Sequence, residues 1–319
     1  RVLGLDSAGV SVVARDIAQP LETQGGAFVA VHPAPSLLHY LGLAGGRALP
    51  AARVSLQQMF ALGSDGRIPL AGVLGADNGD GALAAHMLAR MLRLAGRCTA
   101  LACADGLYLD EHRLAKGDAR SFEPSQRLLM NRSAQAAVIE TTAHAILAQG
   151  LPYDRCHVGV LMGVPGAQGL DEFLIKDEQM PDVARTQLDV VLPQGAAVIN
   201  ADDEGALALA KYSDGEVLLY SCSPANAALA AHRRSKGRTR RLGRAVFASG
   251  NALVLAAGSR EWRLELAAPP DIDTLPAALA ATAAAWALGL PLPLIRAALL
   301  QVEANIPAYD TDLGGLAPL

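Results

Sequence analysis

Residues 67–96 read RIPLAGVLGADNGDGALAAHMLARMLRLAG. Ile68, Leu70, Gly72, Val73 and Leu74 form a short apolar run that closes at Gly75, and Leu83, Met87, Met91 and Leu94 recur at helical spacing. A buried strand, a glycine-rich loop and an amphipathic helix are expected in that order, the outline of a nucleotide-binding strand–loop–helix.

In a working phosphate loop, backbone N–H groups at the helix N-terminus cradle the phosphates. A Lys just inside the helix adds charge, and a Ser or Thr hydroxyl holds magnesium. The loop here reads Gly75-Ala76-Asp77-Asn78-Gly79-Asp80-Gly81. It has no Lys and no hydroxyl, and two carboxylates stand where a triphosphate would arrive. Asp77 or Asp80 is expected to cap the helix, a gain of ~0.5–2 kcal/mol. Each would repel a bound phosphate by ~4 kcal/mol per pair of unit charges at contact, for an effective dielectric near 20. The simplest reading is a capped strand-to-helix connection that keeps the shape of a phosphate loop without its chemistry. No nucleotide or metal cofactor is expected there.

Outward from this stretch, the chain of 319 residues has room for two domains, and 51% hydrophobic against 18% charged residues argues for well-buried cores. With aromatics at only 4% and alanine abundant, close helix–helix and helix–sheet contacts are expected. No apolar run reaches membrane-spanning length. Cys98, Cys103, Cys156 and Cys222 show neither a CxxC pair nor metal-ligand spacing, which suits reduced core thiols in a cytoplasm. The first residues, starting within a strand pattern, look like the ordered remainder of a longer chain.

Residues 1–45 alternate short strands with turns, giving two antiparallel strands and a return strand. Residues 46–67 form a linker with a short helix near 54–60. From Ile68 onward strands and helices alternate, the signature of a mostly parallel α/β sheet. Strands are expected near 98–102, 136–140, 156–162, 196–200 and 216–221, with helices near 124–131 and 181–191 and a hairpin within 106–118. A second hairpin turns at Ser249-Gly250-Asn251, and two Ala-rich helices follow near 275–288 and 294–302.

The order of motifs resembles the bacterial cyanophycin synthetases and, through them, the Mur ligases. The resemblance is carried by Gly4-Leu5-Asp6, Asp16-Ile17, Pro20-Leu21, Gly25-Gly26 and Gly66-Arg67-Ile68-Pro69. It continues through Asp105-Gly106-Leu107-Tyr108-Leu109-Asp110, Glu140-Thr141, residues 150–156 and Asn200-Ala201-Asp202-Asp203. It implies a β-rich remnant of an ATP-grasp domain over 1–45, a Mur-ligase-like central domain with a mostly parallel sheet flanked by helices over 68–305, and a tail over 306–319.

The departures from the family pattern are equally consistent. Metal-binding positions of the ATP-grasp tail fall on Ser11, Ala30 and His32, and neither Ala nor Ser replaces a carboxylate as a magnesium ligand. The family's phosphate loop has become residues 75–81. Its Asp and His fall on the segment Met162-Gly163 and Gln168-Gly169-Leu170, and a helix Lys falls on Ala184. Glu140, the implied magnesium ligand at a strand end, and the nucleotide-side turn of Asn200, Asp202 and Asp203 remain. His144 is a tempting acid or base, and Asp77, Asp80 and Glu140 together would suit a guanidinium.

One charge run stands apart. Arg233, Arg234, Lys236, Arg238, Arg240, Arg241 and Arg244 lie within twelve positions that contain no acid, in a chain of net charge −4. A solvated loop is the plain reading; a docking patch for a polyanion or an acidic partner is the sharper one. The absence of interleaved aromatics argues against a nucleic-acid platform.

Together these features predict a catalytically degenerate relative of cyanophycin synthetase. It would be a regulatory or scaffolding subunit, homo-oligomeric or complexed with an active synthetase, or a binder of the Asp/Arg polymer. The alternative is an ATP- and magnesium-dependent peptide ligase adding Asp or Arg to cyanophycin, multi-L-arginyl-poly-L-aspartate.

Overall fold

A computed structural model describes residues 8–33, 53, 57, 60, 66–76, 79–235, 242–268 and 271–302. The chain divides into two compact units, residues 1–67 and 68–319. In the first, β1 (Gly9–Val13) pairs antiparallel with β2 (Ala27–His32), so Gly9 faces His32 and Ser11 faces Ala30 in the register. Between them a single helical turn, α1 (Leu21–Gln24), was not expected from the sequence. It is fixed by Gln24, whose Oε1 accepts the N–H groups of Arg15 and Asp16 at 2.7 and 2.8 Å. Of the three strands expected within 1–45, the one before Gly9 lies outside the described residues, as do nearly all of the linker helix and the tail over 306–319.

The second unit is an α/β sheet, as the alternation predicted. In chain order it contains β3 (Leu70–Leu74), α2 (Asp80–Leu94), β4 (Thr99–Cys103), β5 (Gly106–Leu109), β6 (His112–Lys116), α3 (Phe122–Leu129) and β7 (Ala136–Thr141). There follow α4 (Ala143–Gln149), β8 (Cys156–Leu161), α5 (Met180–Asp189), β9 (Val191–Asn200), α6 (Glu204–Leu209) and β10 (Glu216–Ser221). The described chain closes with α7 (Ala227–Arg234), β11 (Arg244–Ser249), β12 (Ala252–Ala257), β13 (Arg260–Glu265), α8 (Leu275–Ala287) and α9 (Leu292–Val302). The strand order is 13-12-11-10-9-8-3-7-4-5-6. Strands from β11 to β4 in that order run parallel, and antiparallel hairpins extend both edges.

Side chains alternate between the two faces of the sheet, as period-two geometry requires. Val73, Val138, Val160 and Val198 face α2, α8 and α9, whereas Leu74, Leu161, Ile199 and Leu219 face α4, α5, α6 and α7. Alanine permits the close approach of α2 and α8, where Ala84, Ala85, Ala280, Ala281 and Ala284 are fully or almost fully buried. Along α2 the buried stripe runs through Ala84, Leu88 and Met91, and Leu94, expected inside, is 43% exposed. Among the described residues no helix is long and apolar enough to cross a membrane.

The central strand approaches its neighbours too closely for a side chain at Gly72. A Cβ there would sit 1.9 Å from the Tyr153 hydroxyl and 2.5 Å from Gln187 Nε2. Tyr153 donates to Gln187 Oε1 at 3.0 Å directly beneath the strand. β3 is thereby held in one position, and the loop after it is delivered to one place at the carboxyl edge of the sheet.

Candidate functional site

In a parallel sheet, ligands enter at the carboxyl ends of strands whose connections diverge. β3 leads over β7 to β4, and β7 leads back over β3 to β8. The loops after β3 and β7 therefore face one crevice. A cavity of about 480 Å³ lies there, lined by Gly75, Ala76 and Gly79 of the first loop and by Glu140, Thr142 and His144 after the second. Asp118 and Arg120, between β6 and α3, form its third wall.

Gly75 and Ala76 end the described part of the loop after β3, and Gly79 resumes it at the start of α2. Gly79 is the N-cap of α2 with a left-handed φ of 83°, so a side chain there would be strained, and Asp80 and Gly81 open the helix. The N-cap offers no side-chain hydrogen bond. Asp80 is the first helical residue, one place beyond the N-cap, where the macrodipole favours a carboxylate. Asp77 and Asn78 lie outside the described residues. Gly81 is buried against Gly75, and a Cβ on Gly81 would lie 3.1 Å from Glu140 Oε1. A Ser or Thr at this place would set its hydroxyl beside that carboxylate; glycine supplies none.

Glu140 is 3% exposed. Its Oε2 accepts the Ala104 N–H at 2.8 Å, and its Oε1 faces Arg120 Nη1 at 3.7 Å. Burial pushes its carboxyl up to about 7, against the pull of Ala104 and Arg120. The Arg120 fork also donates to both oxygens of Asp118, at 2.9 and 2.7 Å. One cation is thus shared by two carboxylates; of the three acids expected to suit a guanidinium, Glu140 alone is shown facing one, and Asp77 lies outside the described residues. Arg120 and Asp118 carry no sequence signal, because only the fold brings the segment after the β5–β6 hairpin to the β7 end.

Magnesium bridging a loop hydroxyl, a strand-end carboxylate and phosphate oxygens does not fit this donor set. The hydroxyl is absent at Gly81, one oxygen of Glu140 is bonded to backbone and the other faces a guanidinium. Thr142 has its Oγ1 committed to the Ala145 N–H as the cap of α4.

The remaining sequence candidates take other places. Asn200 donates to the Met162 carbonyl at 2.9 Å. Asp202 accepts from Ser221, Cys222 N–H and Asn226, and Asp203 caps α6 through the Ala206 N–H at 2.7 Å. These residues hold the turn after β9 together. Asp203 still comes close to the loop: a Cβ on Gly163 would lie 3.1 Å from its Oδ2 and 3.2 Å from Ala76 Cβ. Ala184 is fully buried in the α5 core, not at the cavity. His144 is bonded to Glu172 at 2.8 Å, exposed, with its ring edge against Phe173.

The basic run is not a single loop. Arg233 and Arg234 close α7, where Arg233 pairs with Glu261 at 2.6 Å. Arg244 lies in β11, bidentate to Glu216 at 2.9 Å and stacked over Trp286. Lys236, Arg238, Arg240 and Arg241 lie outside the described residues. The cysteines also divide: Cys103 and Cys156 are buried, whereas Cys98 is half-buried and Cys222 exposed, which corrects the reading of all four as core.

No family model matches the chain. It is 33% identical over 307 residues to the cyanophycin synthetase of Synechocystis sp., covering 93% of this chain and 34% of that protein. To the cyanophycin synthetase of Geminocystis herdmanii it is 30% identical over 309 residues, again 93% of this chain and 34% of the relative. The chain thus spans about a third of the length of the curated relatives it matches. Among solved structures, a UDP-N-acetylmuramoyl-L-alanyl-D-glutamate–2,6-diaminopimelate ligase superposes with a TM-score of 0.54 at 17% identity, covering 82% of this chain and 53% of its own. That likeness shows a shared Mur-ligase fold.

Proposed function

We propose that this chain, a relative of the cyanophycin synthetases along nearly all of its length, is a catalytically degenerate member that works by association. The reading is a regulatory or scaffolding subunit, self-associated or bound to an active synthetase or to its Asp/Arg polymer. The observation that carries it is the Glu140–Arg120–Asp118 cluster facing an α2 start that reads Gly79-Asp80-Gly81. Phosphoryl transfer draws nearly all of its rate from positioning and charge neutralisation. Here the Arg120 guanidinium is shared between two carboxylates, a third acid opens the helix, and Gly81 presents no hydroxyl to Glu140.

Isothermal titration with magnesium-ATP tests it. No heat at millimolar nucleotide is expected, with capture of a synthetase or polymer from the native cell. Magnesium-dependent binding would overturn the proposal and favour an ATP-dependent peptide ligase adding Asp or Arg. One observation supports that second reading: Arg120 is a cation delivered to the cavity from another segment, the part that a substitute for the missing Lys would have to play.

A further inference from the structure

Beside the cavity, on the other side of Ala104, three side chains from two elements and a turn converge. His86 on α2, Cys103 at the end of β4 and Asp105 in the β4–β5 turn offer one nitrogen, one sulfur and one oxygen. His86 Nε2 lies 2.9 Å from Asp105 Oδ1 and 3.4 Å from Cys103 Sγ, and Cys103 Sγ lies 2.9 Å from the same Oδ1. The three atoms form a closed triangle, so all can face one point.

A nucleophilic triad is excluded by the same geometry. In a relay, the acid orients the imidazole through one nitrogen while the other activates the thiol. Here Asp105 and Cys103 both address Nε2. Cys103 is also completely buried, out of reach of any substrate, and that burial pushes its thiol well above the ordinary value.

Convergence on one point is what a metal ion requires. Tetrahedral zinc, with bonds near 2.0–2.3 Å to N, S and O, separates its ligands by roughly 3.4–3.6 Å. The His86–Cys103 side already has about that length, and the two Asp105 sides reach it by opening roughly 0.5–0.7 Å, a small turn of the carboxylate. A thiolate–imidazole–carboxylate set is a borderline-soft donor set, which suits zinc and disfavours magnesium or calcium. The surroundings are those of a supported site. Tyr108 donates to the second oxygen of Asp105 at 2.7 Å, Arg113 donates to the Asp105 carbonyl, and the Tyr108 ring stands edge-on to His86. The side chains of His86 and Asp105 are 23% and 34% exposed, which leaves an entry path.

We propose that His86, Cys103 and Asp105 bind a zinc-class divalent ion, which clamps α2 to the β4–β5 turn and so fixes the Ala104 N–H that holds Glu140. On binding, the metal displaces the thiol proton to solvent and takes three protein ligands, leaving a fourth position for water. The site stands whether or not nucleotide binds in the neighbouring cavity.

Cobalt(II), a spectroscopic substitute for zinc, tests it on the full chain. The expected result is one equivalent bound with thiolate-to-cobalt charge-transfer absorption and tetrahedral visible bands, both removed by added zinc and neither affected by magnesium. Cys103→Ser should abolish the charge transfer, and Cys222→Ser, at the exposed thiol, should leave it intact. No charge transfer in the folded native chain, or a band lost with Cys222 and kept without Cys103, would overturn the assignment. Should Cys103→Ser fail to fold by circular dichroism, His86→Gln and Asp105→Asn decide. A loss of tenfold or more in cobalt affinity supports the site, and unchanged affinity in both refutes it.

Discussion

Two neighbouring places share the Ala104 turn and differ in what they have kept. Before α2 the described residues show a left-handed Gly79 and a Gly75–Gly81 contact, and Gly79, Asp80 and Gly81 bring neither the Lys nor the hydroxyl of a phosphate loop. The cluster at Asp105 has no motif in the sequence, yet its three donor atoms lie within bonding range of one point. Backbone geometry and side-chain chemistry are therefore separable: glycines at 75, 79 and 81 set the start of the helix through their backbones alone, and convergent donors arise wherever strand ends meet a helix.

The contrast breaks most readily at the loop. Asp80→Lys exchanges a carboxylate for an ammonium at the first position of α2. A swing of two charges against a phosphate, halved for the partial exposure of the site, is worth about 4 kcal/mol, about a thousandfold in affinity. Titration with magnesium-ATP should move from no heat at millimolar nucleotide to measurable binding. No gain at all would mean that charge is not what the loop lacks.

Glu140→Gln probes the boundary between the two places. The native carboxyl is raised to about 7 from an ordinary 4.5, chiefly by burial, with Arg120, Asp118 and His86 as the charged groups around it. Because the folded state favours the protonated form, ionisation of Glu140 weakens the fold as pH climbs from about 4.5 to 7. Below that window Glu and Gln are both neutral and the variant should match the parent. Above it the variant should be more stable by up to about 3 kcal/mol, with the gain growing through the window and then levelling. Urea unfolding at stepped pH measures this; a difference that does not vary with pH would show that the carboxylate is better compensated than its burial implies.

Tyr108→Phe sharpens the other side. It removes the donor to Asp105 Oδ2 and should cost about 1 kcal/mol of stability and about tenfold in cobalt affinity. If stability falls but cobalt binds as before, Asp105 is not being positioned for a metal.

The same separation explains what could be read without coordinates. The strands around Leu70–Leu74, Ala136–Thr141 and Glu216–Ser221 were legible because strands buried on both faces are continuous apolar runs. Helices α4, α6 and α7 were not, since their six to eight residues are rich in alanine and show little contrast between an apolar and a polar face. Their caps Thr142, Asp203 and Asn226 were the available signal, and the resemblance had drawn Asp203 into a nucleotide turn instead. Glu140 was legible at its strand end. Arg120 and the His86–Cys103–Asp105 triangle were not, because their partners lie 20, 17 and 19 residues apart along the chain and meet only once the sheet has formed.

The smallest effect is expected at His144, which lines the cavity without serving either place. Its bond to Glu172 joins two side chains that are both more than half exposed, at 56% and 63%. Exposed ion pairs contribute roughly 0.2–1 kcal/mol, and the edge contact with Phe173 adds little where the ring is wet. His144→Ala should therefore shift stability by less than about 0.5 kcal/mol, leave the nucleotide titration flat and leave cobalt affinity unchanged. A histidine at a cavity mouth invites an acid–base role, but such a role needs a reacting group held against it, and His144 is held against Glu172 and Phe173. A loss of ligand binding at His144 alone would place a working site at the mouth of the cavity, away from Glu140, and would dissolve the distinction between the loop and the His86–Cys103–Asp105 cluster.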